Sequence, residues 1–237
     1  MAGPDPLAVA EIAAARSRVL STIAEACRRA GRDPAGVQLV AVSKTVPAVR
    51  LEAAIAAGLT VLGENRVQEA ETKAPLLAGA SWHLIGPLQS NKARRAVELF
   101  DVIESVDSAE LALRLDRLAG ELGRAPLGVY LQVNVDRDEM KAGFLPETLE
   151  AEAAELAVLP NLRLLGLMTV GRLMGSAEEA RPTFVRLRET SERVRAAVPG
   201  LGAGLSMGMS DDYAVAVEEG ATAVRVGRAL FGARQVG

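Results

Sequence analysis

The chain has 237 residues, of which 49 % are hydrophobic and 24 % charged. This composition is typical of globular proteins and excludes a disordered chain. The net charge of −3 indicates neither a nucleic-acid partner nor an acidic membrane surface. Because Cys27 and His83 are the only residues of their kinds, an intramolecular disulfide framework and the usual cysteine or histidine metal patterns are excluded.

The N-terminal stretch is interrupted by Asp5 and Glu11, so we do not expect a secretory signal. No run reaches the roughly 18 apolar residues of a membrane span. A cytoplasmic protein is therefore expected.

The predicted elements begin with a helix over residues 7–30, where apolar residues recur at helical spacing and Gly31 ends the pattern. Short apolar runs rich in β-branched residues then alternate with helical stretches. The predicted strands cover 38–43, 59–63, 82–85, 102–106, 128–134, 163–168, 203–207 and 222–226. The predicted helices cover 47–57, 64–77, 88–99, 108–122, 146–158, 177–197, 211–219 and a short terminal piece.

Eight strand-and-helix units in succession predict parallel strands, because a helix between two strands forces a crossover connection. The number of units and the length of about 200–250 residues favour a single (β/α)8 TIM barrel of the α/β class, with an extra N-terminal helix. A doubly wound sheet is the competitor, but the chain has no GxGxxG fingerprint. No linker interrupts residues 1–237, so we expect one domain, with the barrel over about 38–237.

Lys44 directly follows the apolar run LVAVS and is therefore predicted at the mouth of the barrel, where TIM-barrel chemistry takes place. One interpretation is a structural lysine that caps the barrel or pairs with Glu64. The other is an amine with a lowered pKa that forms an imine with an aldehyde. Only four of the 27 basic residues are lysines, which favours the second interpretation. Among the other three, Lys73 is predicted on a plain helix face.

The segments after the seventh and eighth strands predict a phosphate site. Ser206 and Ser210 lie in SMGMSDD, and Gly227 and Arg228 open the last helix. Ordinary helix capping is the alternative for the serines. Arg225 lies inside the apolar strand TAVRV and needs a partner, either Glu64 or Asp211 in a structural ion pair, or a ligand.

An amine, an anion cradle and a strand-8 cation together suit pyridoxal phosphate. His83, Tyr130 and Tyr213 are interpreted as packed structural residues. The basic cluster of Lys92, Arg94 and Arg95 is interpreted as a solvated helix face, with a weak anion or partner site as the alternative.

Seven motifs in order carry a resemblance that covers nearly the whole chain. They are LVAVSKTVP, LGENRVQEA, WHLIGPLQSNK, VNVDRDEMKAGF, GLMTV, LSMGMSDDYAVAVEEGAT and VRVGRALFG. With them the chain resembles the YggS/PROSC-type pyridoxal phosphate homeostasis proteins. These in turn resemble the N-terminal barrel of alanine racemase and other fold-type III enzymes. The second, β-rich domain of those enzymes is not expected here.

The resemblance implies a set of cofactor residues. Lys44 would hold pyridoxal 5′-phosphate as an internal aldimine, and Arg225 would approach the pyridine nitrogen. The other implied contacts are Asn65 beside the ring, Met168 lining the pocket, and Ser206, Ser210, Gly227 and the Arg228 amide at the phosphate. The segment GRLMGSAEEARPTF over 171–184 matches no family motif closely and leaves that part of the pocket rim unassigned.

The resemblance also implies the function, namely a carrier and buffer of the cofactor without robust turnover, although a weak side activity remains compatible with it. The expected partners are PLP-dependent apoenzymes that accept the cofactor, and the expected state is a monomer. An amino-acid racemase or lyase is the alternative. A third class, a sugar-phosphate barrel enzyme without cofactor, stays open on the residues alone.

Overall fold

The computed structural model describes residues 3–171 and 175–232. Its eight strands are β1 (Gln38–Val42), β2 (Val61–Glu64), β3 (Ser81–Leu84), β4 (Val102–Val106), β5 (Leu127–Gln132), β6 (Leu162–Met168), β7 (Gly204–Met209) and β8 (Ala223–Val226). Each strand pairs in parallel with the next, and β8 pairs with β1, which closes the barrel. The predicted (β/α)8 barrel with a preceding helix is confirmed.

Nine helices are found in the described part of the chain. They are α1 (Pro6–Arg29), α2 (Ala48–Ala56), α3 (Val67–Lys73), α4 (Ala93–Leu99), α5 (Ala109–Glu121), α6 (Leu149–Leu156), α7 (Arg181–Ala197), α8 (Tyr213–Glu218) and α9 (Arg228–Phe231). Short 3-10 turns lie at Pro34–Gly36, Ala74–Leu76, Ser90–Lys92 and Glu178–Ala180. No helix in these residues is long and apolar enough to cross a membrane.

Several predicted helices are shorter than their apolar patterns indicate, and in some of them a 3-10 turn replaces part of the pattern. The pattern over 64–77 ends as an α-helix at Lys73, because Pro75 lacks the amide proton that the next helical turn requires. The pattern over 88–99 starts with a 3-10 turn, so that α4 begins at Ala93. Ser108 caps α5, since its side chain accepts a hydrogen bond from the Leu111 amide at 3.4 Å.

Helix α1 covers the seam where the last unit of the barrel meets the first. The Asp5 side chain caps it by accepting from the Leu7 amide at 3.0 Å, and Pro6 fits its first turn. Its apolar face, which includes Ile12, Val19 and Ile23, is buried against α2, α8 and α9.

The barrel has an outer apolar layer and a more polar interior. Residues such as Phe100, Ile103 and Leu131 fill the space between the strands and the helices. The interior is narrow, since a Cβ on Gly63 would lie 2.9 Å from the Val40 side chain. Beneath the mouth, the interior is filled by a few large polar side chains, which include His83, Glu104 and Arg225.

Candidate functional site

The predicted site residues come from five strand ends that face the same mouth of the barrel. Lys44 and Asn65 follow β1 and β2, and both are half-buried. Met168 ends β6 and is fully buried. Ser210 and Gly227 follow β7 and β8 and are half-buried as well. The structure therefore brings together the residues that sequence reasoning grouped from distant parts of the chain.

A buried polar network crosses the interior under this mouth, with Glu104 at its centre. The Glu104 carboxylate is fully buried and accepts from His83 Nδ1 at 2.7 Å and from Ser206 Oγ at 2.6 Å. Arg225 Nη1 lies 3.9 Å from the same carboxylate. Sequence reasoning missed Glu104, although a glutamate inside the apolar run VIESV is an unusual residue to bury and was the available signal.

Arg225 is fixed in place by this network. Its Nη1 donates to Ser206 Oγ at 2.5 Å and its Nη2 donates to the Thr169 carbonyl at 2.7 Å. The predicted ion pairs of Arg225 with Glu64 or Asp211 are wrong. Glu64 lies outside the barrel wall, and Asp211 pairs instead with the exposed Arg228.

Burial and charge act in opposite directions on the ionisable groups of the interior. Burial alone raises the pKa of Glu104, but the hydrogen bond and charge of His83, with the charge of Arg225, hold it below its ordinary value. Burial lowers the pKa of Arg225, and Glu104 and Asp212 oppose that shift. Burial, with a smaller contribution from Glu104, raises the pKa of the Tyr130 phenol to about 12, so the phenol stays protonated near neutral pH.

The loops after β7 and β8 contact each other at the predicted phosphate end. Ser210 Oγ accepts from the Gly227 amide at 3.2 Å, one residue before α9 begins. Gly208 has a φ of +91°, and a Cβ there would lie 2.5 Å from the Ala216 Cβ, so only glycine fits. The first backbone amides of a helix have no intrahelical hydrogen-bond partner. The Arg228 amide at the start of α9 is therefore available as a donor beside the Ser210–Gly227 contact. The Ser206 hydroxyl, by contrast, belongs to the interior network.

Lys73 does not lie on a plain helix face, and that prediction is wrong. Its ammonium is largely buried and donates to Glu64 Oε1 at 2.7 Å and to the Ser43 carbonyl at 2.9 Å. Ser43 Oγ also donates to Glu64 Oε1, at 2.8 Å. Glu64 is thus engaged by Lys73, and the alternative that it pairs with Lys44 is not what the structure shows.

The residues on both sides of Lys44 are held by this outer cluster. On one side, the Ser43 carbonyl accepts from Lys73. On the other, the Thr45 amide donates to Glu69 Oε2 at 2.9 Å, and that oxygen lies 3.4 Å from Lys73 Nζ. Thr45 adopts a φ of +64°, which is unfavourable for a β-branched residue and needs such support.

The unassigned rim segment lies only partly within the described residues, because 172–174 fall outside them. Within the described ranges, no group of three or more histidine, cysteine, aspartate or glutamate side chains is placed to hold a metal ion.

Comparisons with known proteins agree with this geometry. The family described as "Alanine racemase, N-terminal domain" matches residues 16–235. The pyridoxal phosphate homeostasis protein of Pseudomonas aeruginosa is 47 % identical over 223 residues, which are 93 % of this chain and 95 % of that protein. The protein of the same name from Escherichia coli is 40 % identical over 236 residues, covering 94 % and 97 %.

Solved structures show the same fold. PipY of Synechococcus elongatus PCC7942, solved with PLP bound, is 47 % identical with a TM-score of 0.78, and covers 89 % of this chain and 100 % of its own. An alanine racemase from Clostridium difficile shares the fold at 17 % identity and a TM-score of 0.71, with 91 % of this chain but only 60 % of the racemase covered. By these matches the chain belongs to the alanine racemase N-terminal domain family and, within it, to the pyridoxal phosphate homeostasis proteins.

Proposed function

We infer that this chain binds pyridoxal 5′-phosphate through Lys44 and acts as a carrier and buffer of the cofactor, with consequences for amino-acid and keto-acid metabolism. The observation that carries this inference is the position of Lys44. It lies half-buried at the end of β1 with both flanking residues anchored, and β1 pairs with β8, which carries Arg225 and leads into Gly227.

The donor set fits the cofactor part by part. Lys44 supplies the primary amine for the aldehyde, and the imine forms with loss of the aldehyde oxygen as water. Donors for the phosphate come from Ser210, Gly227 and the Arg228 amide. The Arg225 guanidinium lies next to the pyridine nitrogen in this proposal. Asn65 and Met168 line the space for the ring. Ser206, predicted at the phosphate, is hydrogen-bonded to Glu104 and Arg225 in the interior network.

The same residues favour binding over turnover. Pyridoxal phosphate supplies an electron sink, and that sink is strongest when its ring nitrogen is protonated. A permanently charged Arg225 disfavours that proton. Tyr130 is 8 % exposed and has its pKa raised to about 12, so it is a poor general base. Weak side activity is compatible with this arrangement, but sustained turnover is not expected.

The wider role follows from the names of the relatives and from this site. We propose that PLP-dependent apoenzymes accept the cofactor from a monomeric, cytoplasmic carrier whose residues 1–237 form one cofactor-binding domain.

The test is to locate the modified lysine. The protein loaded with pyridoxal phosphate is reduced with borohydride and digested, and mass spectrometry finds the lysine that carries the added group. We expect Lys44, together with loss of the visible imine absorbance in Lys44→Ala. Modification of Lys92 or Lys141 instead, or an unchanged spectrum in Lys44→Ala, contradicts the assignment.

A second measurement separates the carrier from a racemase or lyase. The loaded protein is incubated for a long period with single enantiomers of amino acids, and the products are analysed by chiral chromatography. Sustained racemisation or cleavage would refute the carrier role while leaving the Lys44 assignment intact.

A further inference from the structure

A groove of about 850 Å³ lies beside Asn65, between the segments that follow β2 and β3. It opens on the same end of the barrel as Lys44, where the strands end. Its walls carry two cations, Arg66 and Lys92, and three carboxamides, which belong to Asn65, Gln68 and Gln89.

The two cations and the three carboxamides of this groove are not used by the fold. Arg66 and Lys92 make no ion pair within the described residues, and the three carboxamides make no hydrogen bond there. Glu69 also lines the groove, but its Oε2 is engaged by the Thr45 amide and Lys73. The groove is therefore positively charged, with free donors.

A second groove of similar size shows that volume alone does not produce this pattern. It has about 770 Å³ and runs along α7. There Arg186 pairs with Asp136 at 2.6 Å and Arg193 pairs with Glu150 at 3.3 Å. Both of these arginines are thus already paired with carboxylates.

The walls of the Asn65 groove are joined rigidly at their base. A Cβ on Gly86 would lie 2.3 Å from the Asn65 carbonyl oxygen, so the two segments approach as closely as glycine permits. Ser105 Oγ donates to the Gly86 carbonyl at 2.6 Å and fixes the second wall. The lining also contains the buried apolar side chains of Val67 and Leu88. Such a site needs little rearrangement to bind a ligand.

We propose that this groove is a second, non-covalent anion site, and that its ligand is a phosphate monoester carrying a small planar ring. Two cations match a dianionic phosphate, the carboxamides of Gln68 and Gln89 supply further donors, and the apolar side chains contact the ring. The proposal rests on the proposed function, since this ligand class includes the phosphorylated forms of vitamin B6, of which pyridoxal phosphate is one. Beside an occupied Lys44, the groove would hold a second such molecule.

The test uses the holoprotein after borohydride reduction, in which Lys44 is blocked. Pyridoxine 5′-phosphate is the probe, because it lacks the aldehyde that would react with a lysine, and its binding is measured by calorimetry. We expect one equivalent to bind, and at least tenfold weaker binding in the double variant Arg66→Gln/Lys92→Gln. The matched control is Arg114→Gln/Arg195→Gln, which removes two other exposed arginines without ion pairs and should leave binding unchanged.

Further binding measurements identify which part of the ligand the groove recognises. Pyridoxine without phosphate should not bind, and inorganic phosphate should bind more weakly than the ester. Equal binding of pyridoxine, an unaffected double variant, or tighter binding of an acidic peptide would overturn the proposal. If no adduct forms on Lys44, the proposed function itself fails; if the adduct forms and the probe does not bind, only this inference fails.

Discussion

The substitution Lys73→Met is expected to destabilise the protein strongly, although Lys73 lies on a surface helix of the barrel. Only 11 % of its side chain is exposed, and its partner Glu64 is not exposed at all. Glu64 Oε2 already has no hydrogen-bond partner among the described residues, and Oε1 would keep only Ser43 Oγ. The variant therefore leaves a buried carboxylate that has lost one of its two hydrogen bonds and its only paired cation among the described residues.

Breaking a buried ion pair from one side costs about 3–5 kcal/mol. For a protein of this length each kcal/mol lowers the melting temperature by about 2–4 °C, so we expect a decrease of about 6–20 °C. Urea unfolding followed by circular dichroism gives the free energy, and calorimetry gives the melting temperature. The double variant Glu64→Gln/Lys73→Met should recover most of the loss, because no charge then remains buried.

The matched control is Arg95→Met, which removes exposed ion pairs with Glu71 and Glu98. Exposed pairs contribute about 0–1 kcal/mol, so this variant should stay close to the parent protein. The reasoning is refuted if Lys73→Met costs less than 1 kcal/mol, or if the double variant is as unstable as the single one. The anchored Ser43 carbonyl adds a functional consequence, since Lys73→Met should also accelerate cofactor release from the neighbouring Lys44.

Further outcomes follow from the interior network and the glycines. The folded-state pKa of Glu104 lies below its ordinary value of about 4.3. The ionised Glu104 therefore stabilises the fold fully at pH values above about 4.3. This stabilisation is lost as the pH falls through the lowered pKa. Urea unfolding at pH 3–5 should therefore show a shallower acid loss in Glu104→Gln, and an unchanged pH slope contradicts this assignment. Gly86→Ala should displace the Asn65 carbonyl, cost about 1–3 kcal/mol and weaken cofactor binding in a spectroscopic titration; parent-like affinity would contradict the close approach. Gly208→Ala should cost at least as much in the same unfolding assay, since it combines a positive φ with a contact at 2.5 Å, and a neutral effect would show that the loop can shift.

The barrel and the mouth were predictable because their signals are local. Eight β-branched runs separated by helical stretches permit few arrangements, and parallel strands place their carboxyl ends together. Lys44 and Gly227 could thus be assigned to one face without knowing any distance.

The interior network around Glu104 and the outer cluster around Lys73 could not be predicted. They depend on how each helix is rotated about its axis and on how the strands close into a barrel. Glu104 and Ser206 are 102 positions apart and meet only across the closed barrel. Lys73 contacts Glu64 because α3 turns that face toward the end of β2, whereas its sequence pattern fits an exposed face equally well. Lysine and glutamate are common on helix surfaces, so the pattern alone favoured the wrong interpretation.

The two networks together support the proposal that this barrel holds its cofactor rather than using it in catalysis. A catalyst needs an acid or base that moves a proton at the ring, and its pKa must lie near the working pH. In the described interior, His83 Nδ1 is engaged by Glu104, Tyr130 is a buried phenol with a pKa of about 12, and the Ser206 hydroxyl proton is donated to Glu104. Ser206, Glu104 and the Thr169 carbonyl hold Arg225 in place, and the outer cluster holds the backbone on both sides of Lys44. The polar residues of the site thus fix Arg225 and the backbone around Lys44, which supports the proposed role as a carrier.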